Sequence, residues 1–293
     1  MSQVVFDERM VAATRSFSPS SRKPGLVMQD WLQHWPSLNV VAPRMVARKH
    51  LAQAHDPEYV DGVLDCSIPN GFGNTDPDVA RSLPWTVGAM VTAAVLALRE
   101  TTTYCAPVSG FHHAYWSRGG GYCTFNGLMV AALHVLKQNL ADQVFILDCD
   151  FHYGDGTEDI LQHVQPGQGP VHRLTRRIHH FTAGEHFGRG ASSAEFLGWV
   201  GDAMFSIKRH PADMRRKLVL YQAGADQHVD DPLGGLLTTG ELQRRDNIVF
   251  RYINAYGIPC AWNLAGGYQQ EPDGSIPKVL EIHRNTMNES LSA

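Results

Sequence analysis

The sequence predicts an α/β protein, a single domain over residues 1–293 built on an open, mostly parallel sheet with helices on both faces. Three observations carry this expectation. Short runs of strand length that are apolar throughout alternate with helical patterns along the chain, and strands without a polar face belong to parallel sheets covered on both sides. No internal repeat, charge block or Pro/Gly/Ser-rich linker divides the chain, so the length is spent on one large unit rather than two. The composition, 43% apolar and 18% charged, is that of a globular protein.

In order, strands are expected at Val4–Phe6 and Val40–Ala42, two short apolar runs, and then at Tyr104–Val108, Val144–Leu147, Leu218–Gln222 and Cys260–Leu264. Helical patterns lie between and after them at Val87–Glu100, Asn126–Gln138, Ala194–Lys208, Gly240–Tyr256 and Pro277–Thr286. Residues 66–84, CSIPNGFGNTDPDVARSLP, read as a long loop rich in Gly, Pro, Asn and Asp. Loops of that length are functional or mere surface excursions.

Charge and cysteine content exclude several function classes. A net charge of −4 gives no basic surplus for a broad grip on nucleic acid or an anionic membrane. The five cysteines lie far apart and form no CxxC, which argues against a disulfide scaffold or thiolate zinc knuckle and for a reducing compartment. The opening MSQVVFDERMV lacks the basic-then-apolar pattern of a signal peptide. The longest nearly apolar stretch, Thr86–Leu98, has 13 residues, short of the roughly 20 a bilayer span needs. A soluble, cytoplasmic protein with no membrane partner is expected.

The densest chemical signal follows the Val144–Leu147 strand: Asp148, Asp150 and His152 share one parity and would leave the backbone on one side. They sit where open parallel sheets bind ligands, beyond the C-terminal end of a strand. Carboxylate and imidazole together suit zinc or iron(II). A helix N-cap at Asp155 would explain one acid of this run but not three converging groups. Asp226, in Ala223-Gly-Ala-Asp226 after the Leu218–Gln222 strand, is either a third ligand or a helix cap. With Asp150 and His152 it makes an Asp/His/Asp set with open positions, the pattern of a catalytic metal.

His112 and His113 follow the Tyr104–Val108 strand in Ser109-Gly-Phe-His112-His113. From a loop both can turn into one pocket as general acid and base, with Asp148 and Asp155 each able to hold the far nitrogen of one ring; surface polarity is the plainer alternative. Tyr268 follows Gly266-Gly267 after the Cys260–Leu264 strand, either as a hydroxyl for a developing oxyanion or as an aromatic cap on a loop. The run Arg118-Gly-Gly-Gly121-Tyr122 lacks P-loop spacing and fits better as one wall of a narrow slot for a thin apolar chain.

Taken together, GFHHA, RGGGYCTFN, DCDFHYGDGT, AGAD and AGGY resemble, in their order, the histone deacetylase superfamily of the arginase–deacetylase fold, over about His55 to beyond Tyr268. GFHHAYWSRGGGYC and GADQHVDDPLGGLLTTGELQRRDNIVFR are closest in flavour to its class IV branch. The resemblance implies zinc-dependent hydrolysis of N-acyl amides, with iron(II) as the other candidate metal, on acyl-lysine in a protein or peptide. It assigns the metal to Asp150, His152 and Asp226 and catalysis to His112 and His113, backed by Asp148 and Asp155. Tyr268 would bond the carbonyl oxygen and the Gly121 carbonyl would take the scissile N–H. Tyr122 and Phe187 would wall the tunnel, with Asp76 gripping the substrate backbone at its rim.

Departures from the family pattern are Tyr153, where many members have a second His, and Asn263-Leu-Ala before the glycines, which implies a tighter floor. The family's monovalent cation, K⁺, would lie near the Asp148 strand; Arg177 falls near one of its ligand positions, as a replacement for the ion. Rival activities are an acetylpolyamine amidohydrolase, favoured by Asp76, Asp78 and Glu185 at the mouth, and a long-chain lysine defatty-acylase. A ureohydrolase fits less well, because His112-His113 occupies the ground of its second metal. The non-enzymatic alternative is an acyl-lysine-tail binding module, against which the retained ligands, histidines and Tyr268 argue.

Overall fold

The computed structural model describes residues 3–164, 174–210 and 216–292. Seven strands form one all-parallel sheet: β1 (Gln3–Val5), β2 (Val40–Val41), β3 (Thr103–Ala106), β4 (Gln143–Asp148), β5 (Ile178–Thr182), β6 (Lys217–Gln222) and β7 (Cys260–Asn263). Their spatial order is β2-β1-β3-β7-β6-β4-β5. Among the described residues, nine α-helices accompany it: α1 (Lys23–His34), α2 (Arg48–Leu51), α3 (Pro57–Leu64), α4 (Pro77–Glu100), α5 (Gly127–Lys137), α6 (Asp155–Val164), α7 (Ser193–Arg209), α8 (Thr239–Ala255) and α9 (Pro277–Ser292).

The expected α/β architecture is present, and strand period explains why the strands read as apolar on both sides. Tyr104, Val144, Ile146, Leu218, Leu220 and Ala261 point into one core with α3, α4, α5 and α6. Their alternates Cys105, Phe145, Leu147, Val219, Tyr221 and Trp262 point into a second core with α1, α7, α8 and α9.

Three expectations need correction. β5 went unforeseen because Ile178-His-His-Phe-Thr182 is an edge strand whose middle residues are only half-buried, so no apolar run marks it. The loop expected over 66–84 ends at Asp76: α4 begins at Pro77, with the Asp76 carboxylate accepting from Asp78 N at 2.8 Å. An acid followed by Pro at the first helical position is a helix start, and Pro84 sits inside the helix without ending it. The resulting 24-residue helix is long and apolar enough to span a bilayer, which the 13-residue stretch did not suggest. Yet 67% of its most apolar window is buried against the sheet and α5, the burial of a core helix.

The consequence for function lies in the order β3-β7-β6-β4. These four neighbours release their chains at one edge, and the segments after them carry His112-His113, Tyr268, Asp226 and Asp148-Asp150-His152.

Candidate active site

β4 ends at Asp148 on the ladder, where Cys149 N still donates to Gln222 O at 3.0 Å. The chain then turns, and local bonds fix its side chains. Asp148 Oδ1 accepts from Asp150 N at 3.1 Å, and Asp150 Oδ1 accepts from His152 N at 3.1 Å. Each acid of the i, i+2 series thus caps the next residue, which keeps the three side chains on one side.

Asp150, His152 and Asp226 converge so that one ligand atom from each lies within 4.8 Å of the others. His152 Nδ1 stands 3.2 Å from Asp150 Oδ1 and 3.0 Å from Asp226 Oδ2. Its far nitrogen, Nε2, is 3.1 Å from the Leu233 carbonyl, a bond that sets the ring and leaves Nδ1 facing the cluster. Backbone donors meet the other carboxylate oxygens: Gly266 N on Asp150 Oδ2 at 2.8 Å and Phe151 N on Asp226 Oδ1 at 3.1 Å.

The electrostatics ask for a cation. Asp150 and Asp226 are 2% and 0% exposed, and two carboxylates so close cannot both ionise without positive charge between them. Burial and the Asp150 charge push Asp226 upward. Burial alone would lower His152, but its bonds to Asp150 and Asp226 lift it to about 11, so the imidazolium supplies that charge in the bare protein. A divalent ion on two oxygens and one nitrogen would supply it better. The residues fit a metal of this class.

The two histidines are placed and tuned differently. His112 Nδ1 lies 2.7 Å from Asp148 Oδ2, and its Nε2 is 3.6 Å from Asp150 Oδ1. Burial opposes its charge, but Asp148, Asp150 and Asp226 outweigh it and raise His112 to about 9. His113 Nδ1 lies 2.6 Å from Asp155 Oδ1, whose other oxygen accepts from the Tyr115 hydroxyl. Burial and then the His112 charge push His113 below its ordinary 6.5, with Asp155 pulling the other way. The rings are 4.1 Å apart between centroids. At neutral pH one is an acid and the other a base.

Gly121 (φ 50°) and Tyr122 (φ 64°) are consecutive left-handed residues, closed by Cys123 N donating to Gly120 O at 2.7 Å. A Cβ on Gly121 would meet His113 Cδ2 at 2.4 Å, so only glycine lets the turn lie against that ring. Tyr122 then stands with ring centroids 5.8 Å from both Phe72 and Tyr268. Phe72, in the Cys66–Asp76 loop, is an aromatic neighbour that sequence reasoning missed. Phe187 packs instead at 5.4 Å on Phe196 and 6.1 Å on Trp199. Asp76 is half-buried, its carboxylate engaged at the start of α4.

Tyr268 is fixed by its backbone. Its N–H donates to Asp231 Oδ2 at 2.7 Å, and the turn before it is held from beneath by Lys23, whose Nζ donates to Ala265 O at 2.5 Å and Gly266 O at 3.1 Å. Lys23 is fully buried, which pulls its pKa down to about 8. Burial raises the Tyr268 phenol well above its ordinary range, with Asp150 and Asp226 adding to it, so the hydroxyl keeps its proton.

Gln222, which donates to Asp148 Oδ1 at 2.8 Å, was also missed; an amide at a strand end carries no distinctive spacing. Arg177 needs correction. It donates to the Asp142 and Ala141 carbonyls at 2.7 Å, before the start of β4, whereas Thr182 is the residue level with Asp148. Arg177 therefore lies at the opposite end of the strand and cannot replace an ion near Asp148. Besides His112, a second imidazole near that acid is His180, with Nε2 at 4.0 Å from Asp148 Oδ2. Tyr153 is exposed, consistent with its expected turn away from the cluster.

The sequence profile of the histone deacetylase domain matches residues 20–281. A protein named as a probable deacetylase of Methanothermobacter thermautotrophicus is 27% identical over 259 residues, covering 80% of this chain and 75% of that protein. The crystal structure of the HDA15 HD domain superposes with a TM-score of 0.75 at 19% identity, covering 99% of this chain and 89% of the other. An acetylpolyamine aminohydrolase from Burkholderia pseudomallei gives 0.72 at 17% identity, covering 99% and 98%. At these identities the two structures are alike in fold.

A Cβ on Gly266 would lie 2.3 Å from Asp226 Oδ2 and 2.8 Å from Asp150 Oδ2. Gly266→Ala is therefore expected to spread the two carboxylates and weaken zinc binding by about 10- to 100-fold, the usual cost of disturbing ligand support. Competition with a chromogenic chelator checks this; an unchanged zinc affinity would contradict the geometry.

Proposed function

The chain belongs to the histone deacetylase family, and we propose that it hydrolyses linear N-acyl amides, with acyl-lysine in a protein or peptide as substrate. The observation that carries this reading is the pair His112/His113. Each ring is bonded to its own carboxylate and shifted in the opposite sense, beside an Asp/His/Asp cluster with Tyr268 nearby.

In the proposed reaction Asp150, His152 and Asp226 hold a divalent metal ion, zinc in this reading. When bound, it polarises the acyl carbonyl and makes a water acidic. His113, neutral at pH 7, takes the proton of the attacking water at Nε2, because Asp155 occupies Nδ1. It then returns the proton to the leaving amine. His112 stays protonated and lends positive charge beside the developing oxyanion. Tyr268 donates to that oxyanion, a contribution worth a factor of about 10²–10³ per donor. The Gly121 carbonyl takes the scissile N–H, and Tyr122 with Phe72 guides the chain of the substrate. Phe187 and Asp76 belong to this proposal as a further wall and as the rim contact.

Of the acids expected to favour an acetylpolyamine at the mouth, Asp78 is paired with Arg81, whereas the Glu185 side chain is 60% exposed, so the substrate panel below decides that alternative. A K⁺ ion near Asp148 stays within the proposal, away from Arg177, which bonds carbonyls before the start of β4. The five unpaired cysteines are in keeping with a cytoplasmic location.

An acyl-lysine peptide panel run beside acetylputrescine and acetylspermidine tests the substrate. The proposal expects acetyl-lysine peptide to give the highest kcat/KM; a tenfold preference for acetylspermidine would overturn it in favour of the polyamine reading. Tyr268→Phe should fold, bind zinc and retain a linear hydroxamate inhibitor, while kcat falls by about 10²–10³ with little change in KM. Wild-type kcat in this variant would make Tyr268 a packing residue. The base His113 works above its pKa, so kcat/KM should fall on the acid side with a midpoint below 6.5. Asp155 favours the charged ring, so Asp155→Asn should move that midpoint to still lower pH; movement to higher pH would contradict the pairing.

A further inference from the structure

A buried ion pair on α8 lies outside the mechanism above. Leu242, Arg245, Asp246, Val249, Phe250 and Ile253 are the buried residues of α8, spaced as the inward stripe of a helix. Two charged residues thus occupy positions where a packed helix ordinarily carries apolar ones. Arg245 is 0% exposed and Asp246 1%, and such burial is tolerated only when the charges are paired and hydrogen-bonded. Arg245 Nε donates to Asp246 Oδ1 at 2.9 Å. Asp246 is held in turn by the Tyr221 hydroxyl on Oδ1 and by Thr286 Oγ1 on Oδ2 at 2.6 Å. This anchors the guanidinium between β6 and α9.

The free end of that guanidinium reaches the candidate metal centre. Nη1 donates to Gly224 O at 2.6 Å and, more loosely, to Cys149 O at 3.4 Å. Cys149 precedes Asp150, and Gly224 lies two residues before Asp226. The two segments approach closely here, since a Cβ on Gly224 would lie 2.7 Å from Asp150 Cα and 2.7 Å from Asp226 Oδ1. Both carbonyls lie beyond the ends of β4 and β6.

We propose that Arg245, oriented by Asp246, is a positioning residue that ties the chain leaving β4 to the chain leaving β6 and so sets the spacing of the Asp150 and Asp226 carboxylates. It touches no reacting atom and acts through the backbone of the residues that carry the ligands. A purely space-filling residue would not need a guanidinium that donates through Nε to a dedicated carboxylate and through Nη1 to the Gly224 carbonyl, while Nη2 has no hydrogen-bond partner among the described residues.

The inference rests on Asp150, His152 and Asp226 being the metal ligands, and its test reads zinc affinity rather than turnover. On the full chain, the zinc dissociation constant is measured by chelator competition for wild type, Arg245→Met, Arg245→Lys and Asp246→Asn. Thermal melting of the metal-free proteins and the visible spectrum of the cobalt-loaded proteins are recorded alongside. Arg245→Met and Asp246→Asn should weaken zinc by about 10- to 100-fold and alter the cobalt spectrum. Arg245→Lys should recover part of the affinity, because an ammonium can still donate to one carbonyl. If Arg245→Met fails to fold, the milder Asp246→Asn and Arg245→Lys decide the question. Folded variants with lower melting temperatures but zinc affinities within about threefold of wild type would show a packing role only and overturn the proposal. Wild-type protein that bound no zinc would overturn the metal reading as well, which separates the two failures.

Discussion

Three carboxylates from two neighbouring strands, Asp148, Asp150 and Asp226, are buried together at one edge of the sheet, none more than 2% exposed. Taking such groups out of water costs several kcal/mol each unless hydrogen bonds and opposite charge replace the water. The arrangement of the site follows from meeting that requirement. Asp148 is met by His112 and Gln222, Asp150 by Gly266 N and His152, and Asp226 by Phe151 N and His152. One oxygen each of Asp150 and Asp226 and Nδ1 of His152 converge there, a set of the kind that holds a divalent cation.

The same crowding dictates the glycines. At 121, 224 and 266 a Cβ would come within 2.7 Å of an imidazole, a carboxylate or the backbone of a ligand residue. It also separates two histidines adjacent in sequence. His112 faces three buried acids and is held charged. His113 faces one half-buried acid and the charge of its neighbour, and is held neutral. Acid and base behaviour from one dipeptide is a property of the surroundings of each ring.

The sheet and the site positions were legible in the sequence because both are written in short-range patterns. Fully apolar strands gave β3, β4, β6 and β7, and the polar residues just beyond each strand gave the histidines, the acids and the tyrosine. Three kinds of feature were not legible. β5 carries two adjacent histidines on an edge strand and so lacks an apolar run. The start of α4 was masked by a Gly- and Pro-rich approach, although Asp76-Pro77 marks it. Long-range partners such as Lys23, Gln222, Asp231 and Arg245 carry no spacing signal, because what they contact is set by the sheet order. Arg177 shows the reverse error: closeness along the chain to an expected ion site placed it at the wrong end of the strand.

The central claim is that Asp150, His152 and Asp226 form a single metal site. Elemental analysis of purified protein beside Asp226→Ala tests it most directly. Close to one equivalent of zinc or iron per wild-type chain is expected, with the loss of most of it in the variant, because one ligand of three is gone. An unaltered metal content in a folded Asp226→Ala protein would contradict the claim.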